Sequence, residues 1–340
     1  MRAARGLLRT SIGITVSLSL SLSLSLAGCA SDSSTPTQPG DASVQSSTSA
    51  TPSPTTSSAP SAATTTSATA SAHATSGILA LFAESPKWTY GYIDPASGQY
   101  SEAASFKTVD VQVTSYEALA ASPDLAKLAV TKDVDGHRSV GWIDTDGQFT
   151  NVTPYVDPGP FGGRAPSYTP IGFDGTGNFF YQQNAQGQLH PLLFELPAGS
   201  TANPQDVSSQ VPTWTDGLKA FRNFDGTMRF GCRGGFSWLG PSAKVMVMAP
   251  GTQIDRTDVT PDPRSGCPDM SSSGGGVPLL PATNDERVTN AVGSPDGAQV
   301  AFQMGASLYI VGADGSSQPT KLEVPIDGRK FGWMTLLGWS

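Results

Sequence analysis

Charge is scarce in this chain. Only 14% of its 340 residues are Asp, Glu, Lys or Arg, and 20 basic side chains stand against 28 acidic ones. A nucleic-acid partner needs a basic face, so that class of function is excluded. Histidine is almost missing: His73, His137 and His190 are the three in the sequence. Neither an HExxH nor a GxSxG motif occurs, and no metal site or cofactor is expected. Cysteine is limited to Cys29, Cys232 and Cys267, which leaves no spare thiol nucleophile once two are paired and one is set aside. Long apolar runs are few as well. What the chain has instead is 37 Gly and 27 Pro, a balance that suits an all-β protein with many turns.

The N-terminus departs from that background. Arg2, Arg5 and Arg9 precede "SLSLSLSLSLAGCA", residues 17–30, in which Leu and Ser alternate with a period of two. Period two is a strand signal. Its place behind a basic segment and before small residues makes it the apolar core of a signal sequence instead. "LAGC", Leu26 to Cys29, resembles the bacterial lipobox, which implies a lipid on the Cys29 sulfur, cleavage after Gly28 and a membrane partner reached through that lipid. A plain secretory signal and an uncleaved anchor are the alternatives. Loss of residues 1–28 would remove three arginines and move the net charge from −8 to −11.

Residues 29–77 follow as a tether. From Ala30 onward Ser, Thr, Ala and Pro dominate, Asp32 and Asp41 are the only charges, and no aromatic residue occurs. Such a segment cannot bury enough apolar surface to offset its ordering entropy, so disorder is expected. Forty-eight residues of coil span about 40 Å root-mean-square and roughly 160 Å when extended, enough to lift a domain off a membrane. His73 lies here and has no expected role. Ser/Thr/Pro-rich stalks of this kind are often O-glycosylated.

Residues 78–340 carry an internal repeat. "GYID" at 91–94 returns as "GWID" at 141–144, and "SPDLAKLAV" at 122–130 is echoed by "FDGTGNFFY" at 173, "FDGTMRF" at 224 and "SPDGAQVAF" at 294. Asp124, Asp174, Asp225 and Asp296 centre these turns at intervals of 50, 51 and 71 residues. Each turn separates short apolar strands, and each unit reads as four strands, a to d. In the second unit these are 116–121, 127–131, 138–143 and 148–152; other pairs are "NFFYQQ" with "HPLLFEL", "TMRFG" with "AKVMVMA", and "QVAFQM" with "SLYIVGAD". Units that bury no core alone predict a β-propeller. The SPDG-type turns resemble the TolB-like or PD40 propeller repeat, which implies that fold and little about function.

The domain opens on strands of b and c type and closes on "WMTLLGWS", an a-type segment, so the C-terminal strand is expected to complete the first blade. Counting a-strands near Leu119, Ile171, Phe221, Ala291 and Leu336 gives five blades. Six remain possible, but the 71-residue interval looks too short to hide another.

In a propeller the a–b and c–d turns share one face. The turn aspartates belong there as turn formers. "DTDG" and "DVDG" lack the further ligands of a calcium loop. The b–c and d–a loops share the other face, which would collect Trp88, His137, Arg164, Tyr168, Trp214, Arg233, Trp238, Arg329 and Lys330. Aromatic and arginine side chains on stiffened loops are what hot spots contain, so this face is the expected site for an envelope protein or glycan. Cys232 and Cys267 fall on it too, and an exported domain should join them, with a loop of about 35 residues worth roughly 3–4 kcal/mol. Trp142, Trp333 and Trp339 are expected between blades.

Function reads as a lipid-anchored, extracytoplasmic and monomeric binding propeller, the stalk suggesting a Gram-positive envelope. A glycan-active enzyme and a small-ligand sensor are the competing classes. A glycosidase needs paired carboxylates in the channel. The a-strands "ALAAS", "PIGF", "AFRNF", "NAVGS" and "LLGWS" predict an apolar, small-residue lining with Glu117 as the one nearby carboxylate, and no catalytic residue.

Overall fold

A computed structural model describes residues 76–340 apart from 155–164, 213–217, 233–235, 243, 250, 263–266, 270–275, 282–283 and 325–332. Cys29, the tether up to residue 75, Arg164, Trp214, Arg233, Arg329 and Lys330 therefore lie outside the described residues, as does the side chain of Trp333.

The described chain is a succession of antiparallel sheets. The first contains Ile78–Glu84, Lys87–Ile93 and Tyr100–Lys107, with Trp333–Trp339 added along the Ile78–Glu84 edge. The C-terminal strand thus completes the first sheet, as the strand types at the two ends require. The second sheet is Val111–Val113, Leu128–Val134, His137–Ile143 and Phe149–Asn151. The third is Ser167–Phe173, Phe179–Asn184, Leu192–Leu196 and Gln205–Asp206. The fourth has two strands among the described residues, Ala220–Arg222 and Met228–Phe230. The fifth is Phe236–Trp238, Val245–Met248, Asp255–Asp258 and Val277–Pro278, and a ribbon of Thr260–Pro261 with Pro268–Asp269 interrupts it. The sixth is Val288–Gly293, Gln299–Met304, Ser307–Gly312 and Thr320–Leu322.

Two expectations are corrected here. Residues 116–121 do not form a strand: Glu117–Ala120 is a single helical turn that buries Leu119 and Ala120, and the strand of that unit lies earlier, at Val111–Val113. "TMRF" and "VMVM" do not belong to one unit either. Five sheets have four strands, but the interval between Asp225 and Asp296 holds more than the count of a-strands allowed. It has room because, among the described residues, the fourth sheet shows two strands and the fifth begins at Phe236.

Strand alternation sends side chains to both faces of each sheet, and neither face can be left wet. Leu81, Tyr90 and Phe106 of the first sheet pack with Leu128, Val130 and Ile143 of the second. Ala129, Val140 and Trp142 then meet Phe173, Phe179 and Tyr181 of the third. Ile171, Phe180 and Leu193 meet Met228 and Phe230 of the fourth. Phe221 stands edge to face on Phe236 of the fifth, with ring centroids 4.9 Å apart. Val247 and Leu239 pack with Val288, Val300 and Phe302 of the sixth. Val292, Ala301 and Leu308 return to Ile78, Ala80 and Phe82 of the first. This order of packing, sheet by sheet and back to its start, is that of a propeller-type all-β domain. Trp142 fills the second junction, 5.3 Å from Phe179, and Trp339 packs at the last, as tryptophans between sheets should.

Candidate functional site

One backbone hydrogen bond recurs in every sheet and sets a common level across the domain. In five sheets the residue after the innermost strand, and in the second the residue after the lone bridge of Ala121 with Leu128, donates its N–H to a carbonyl at the start of the next strand. These are Ser122 to Lys127, Asp174 to Asn178, Asn223 to Thr227, Leu239 to Val245, Ser294 to Gln299 and Ser340 to Gly77, at 2.8–3.0 Å.

The turn aspartates are turn formers. Ser122 and Ser294 each donate to Asp124 and Asp296 at 2.6 Å, and the Ala126 and Ala298 amides donate to the same carboxylates. These bonds, the serine hydroxyl first, hold both carboxyls below the ordinary range. The two FDG turns, identical in letters, are used differently. In the third sheet Asp174 is the first turn residue and accepts from Thr176 and Asn178. In the fourth sheet that place belongs to Asn223, while Asp225 takes the third place and accepts from Thr227.

Aligning the sheets on this bond shows which residue precedes each donor: Ala121, which sits in a lone bridge to Leu128, and Phe173, Arg222, Trp238, Gly293 and Trp339, which close innermost strands. Four of these, Arg222, Trp238, Gly293 and Trp339, line one cavity of about 870 Å3. Tyr116, Glu117, Phe221, Asn223, Phe236, Arg287, Thr289 and Asn290 line it too. The expectation of an apolar, small-residue channel is therefore corrected: the lining carries two arginines, two asparagines and five aromatic side chains beside Glu117. The wall is braced across sheets, since the Tyr116 hydroxyl donates to the Leu218 carbonyl at 2.5 Å and Thr114 donates to the Pro170 carbonyl at 2.8 Å.

Arg222 is the unusual member. Phe221 faces the fifth sheet, so its neighbour on the strand faces the third, where Arg222 Nη2 donates to the Phe173 carbonyl at 3.0 Å. Burial pulls the guanidinium below its usual range, opposed by nearby Asp174. Both Asp174 oxygens are already committed to Thr176 and Asn178. Arg222 Nε, Asn223 Oδ1 and Trp238 Nε1 are shielded from solvent and have no partner among the described residues.

The residues expected on the loop face divide. Trp88 follows the Glu84–Lys87 turn but packs into the core between the first and second sheets. Tyr168 is 7% exposed, belongs to the core between the second and third, and its hydroxyl accepts from Gln183 at 3.4 Å. His137, at the turn from the second strand to the third, is exposed. Trp238 lies at the opposite end from them, at the close of an innermost strand, because the segment assigned to a b–c loop is the start of the fifth sheet. Its ring stands 6.1 Å from Phe224, in the turn of the fourth sheet. The Cys232–Cys267 disulfide is present. Cys267 sits between the third and fourth strands of the fifth sheet rather than in a d–a connection, so the bridge ties that connection to the end of the two-stranded sheet.

Arg222, Asn223 and Arg287 were missed by sequence reading. The signal was there: aligned on the turn, "RN" at 222–223 stands where other units have "AS" and "GS".

No family model and no curated protein matches the chain. Among solved structures it is similar to the tricorn protease, at 14% identity over 73% of this chain and 26% of that one, with a TM-score of 0.34. It is also similar to the Cps50 (Swd1) β-propeller domain of Myceliophteria thermophila, at 12% identity, 74% and 88% coverage and a TM-score of 0.35. TolB from Acinetobacter baumannii follows at 15% identity, 74% and 55% coverage and a TM-score of 0.24. The chain spans about a quarter of the tricorn protease and just over half of TolB, and scores at this level carry no argument about activity. The fold stands on the chain's own sheets: an all-β domain of propeller type.

Proposed function

We propose that this protein is a lipid-anchored, extracytoplasmic recognition module, tethered to the membrane through Cys29 and binding a ligand or partner in its central cavity. The observation that carries the reading is that cavity: about 870 Å3, walled by the innermost strands of several sheets, and mixing aromatic rings with unspent polar groups. Binding sites are concave and combine apolar walls with placed polar groups, and this cavity mixes the two in about equal measure. The lipobox-like LAGC, the stalk-like composition of residues 30–77 and a disulfide in the folded domain support an exported, anchored protein. Glycan cleavage is the weaker reading, because Glu117 is the one carboxylate among the described cavity residues and a glycosidase needs two.

The test joins location to binding. Cys29→Ser should move the protein from the membrane fraction to the soluble extracytoplasmic fraction, and mass spectrometry of the wild type should find a diacylglyceryl group on Cys29. Crosslinking in intact cells should capture a defined partner or glycan that Trp238→Ala, still folded, fails to hold. Retention of Cys29→Ser in the membrane would overturn the anchor, and capture indifferent to Trp238 would overturn the cavity as the binding place.

A further inference from the structure

We infer that the cavity selects a ligand bearing an oxyanion, a carboxylate or a phosphoryl group on an apolar body, with the anion held at Arg222 and the body against Trp238 and Trp339. This rests on the recognition reading above and names what is recognised.

The argument begins with one position occupied six times. In the position just before this turn five sheets place a neutral residue, Ala121, Phe173, Trp238, Gly293 or Trp339, and the fourth places a cation. Arginine is not needed there to make the turn, since the other five turns form without it. It is costly there, because a shielded guanidinium wants a charged partner and a full set of hydrogen bonds. Arg222 has neither. Its one hydrogen bond among the described residues runs to a neutral carbonyl, that of Phe173, its Nε is unpartnered, and the nearby carboxylate, Asp174, spends its hydrogen bonds on Thr176 and Asn178 in its own turn and makes no ion pair with it.

Asn223 departs from pattern in the same place. In the equivalent positions Ser122, Asp174 and Ser294 turn their side-chain oxygens into their own turns, accepting from Lys127, Asn178 and Gln299. The Asn223 oxygen does not, although the residue is 8% exposed. With Trp238 Nε1 this makes three shielded, unpartnered polar atoms on residues that line one end of one cavity. Buried polar groups in folded proteins are nearly always satisfied, and a cluster of exceptions calls for a partner that a bound ligand would supply.

The ligand class follows from the chemistry. A guanidinium fork matches a carboxylate or a phosphoryl group in two parallel bonds. Trp238 and Trp339 end their strands at the same level, and Phe221 and Phe236 continue the aromatic wall, so the anion must sit on an apolar or planar body. Arg287 stands one residue before the strand Val288–Gly293, about 20 Å along the strand direction from this level, so it does not share the anion.

The test uses the whole chain and four probes: phenylacetate against phenylacetamide, and phenyl phosphate against phenol. Tryptophan fluorescence or calorimetry should show one anionic probe bound about tenfold more tightly than its neutral counterpart, and weakened by salt. Whichever anion is preferred tells carboxylate from phosphoryl. Arg222→Gln should abolish the preference and Arg222→Lys should keep part of it, with melting followed for both; Arg256→Gln, a surface cation of the fifth sheet, is the charge-matched control. Equal binding of acid and neutral probe, a preference that survives Arg222→Gln, or no anionic probe bound at all would each overturn the inference. A Trp238-dependent partner captured in cells alongside probes that show no charge preference would sink the anion reading and leave the recognition reading standing.

Discussion

The backbone N–H of Gly175 donates to the carbonyl of Gly226 at 2.6 Å, so the turns of the third and fourth sheets meet main chain to main chain. A Cβ at Gly175 would lie 2.6 Å from the Gly226 Cα, a distance only backbone movement can relieve. Gly175→Ala should therefore lower stability by about 1–3 kcal/mol, read from the denaturant midpoint. Gly187→Ala is the comparison: its φ of +85° is strained for alanine, but nothing lies within 4 Å. That variant should lose about 1 kcal/mol. Equal losses at both sites would mean that the contact between turns contributes nothing.

Reduction should weaken the fold selectively. The Cys232–Cys267 bridge closes a separation of 35 residues between the two-stranded sheet and the fifth sheet's long connection. Dithiothreitol, or Cys232→Ala with Cys267→Ala, should cost about 2–4 kcal/mol, visible as a shift in urea midpoint between oxidised and reduced protein. An unchanged midpoint would show that the fourth sheet holds its place by packing alone.

Tyr90 gives a prediction of opposite sign. Its hydroxyl is fully buried between the first and second sheets with no partner among the described residues, and burial, then the charge of Glu117, drives its pKa upward. Removing an unsatisfied polar group recovers its desolvation cost. Tyr90→Phe should be neutral or stabilising by about 1 kcal/mol; a loss of that size would reveal a partner, such as buried water, for the hydroxyl.

Acid should act through the serine–aspartate turns. Asp124 and Asp296 have lowered carboxyl pKa values in the folded state, chiefly through the Ser122 and Ser294 hydroxyls. Groups lowered on folding add stability above the ordinary carboxylate range and lose it as pH falls through their folded values. The melting temperature should drop below about pH 4, and Ser122→Ala with Ser294→Ala should flatten that acid limb. Glu195, raised by burial, works the other way and offsets part of the drop.

How much of this was legible before the fold was known depends on how local each signal is. The Ser-x-Asp turns at 122 and 294 could be read because the bonds that make them span five residues or fewer. The C-terminal strand could be placed because the first sheet visibly lacked its innermost member. The fifth sheet escaped because its first strand, Phe236–Trp238, is three residues long, too short to show a period. The helical turn at Glu117–Ala120 escaped because "ALAAS" suits either state, and tertiary packing of Leu119 decided it. The cavity residues escaped for another reason. Arg222 looks ordinary in "AFRNF"; only alignment of all six sheets shows that it stands where five neutral residues stand. Tyr168 and Trp88 failed in the reverse sense, since a residue beside a loop was counted as part of the loop's surface while its ring was in the core.

The pairing of Trp333–Trp339 with Ile78–Glu84 also dictates when the domain can form. Synthesis proceeds from the N-terminus, so the earliest strands of the domain wait with one edge bare until the latest strand has been made. An anchored chain would spend that wait already held at the membrane, with an adhesive edge facing its neighbours.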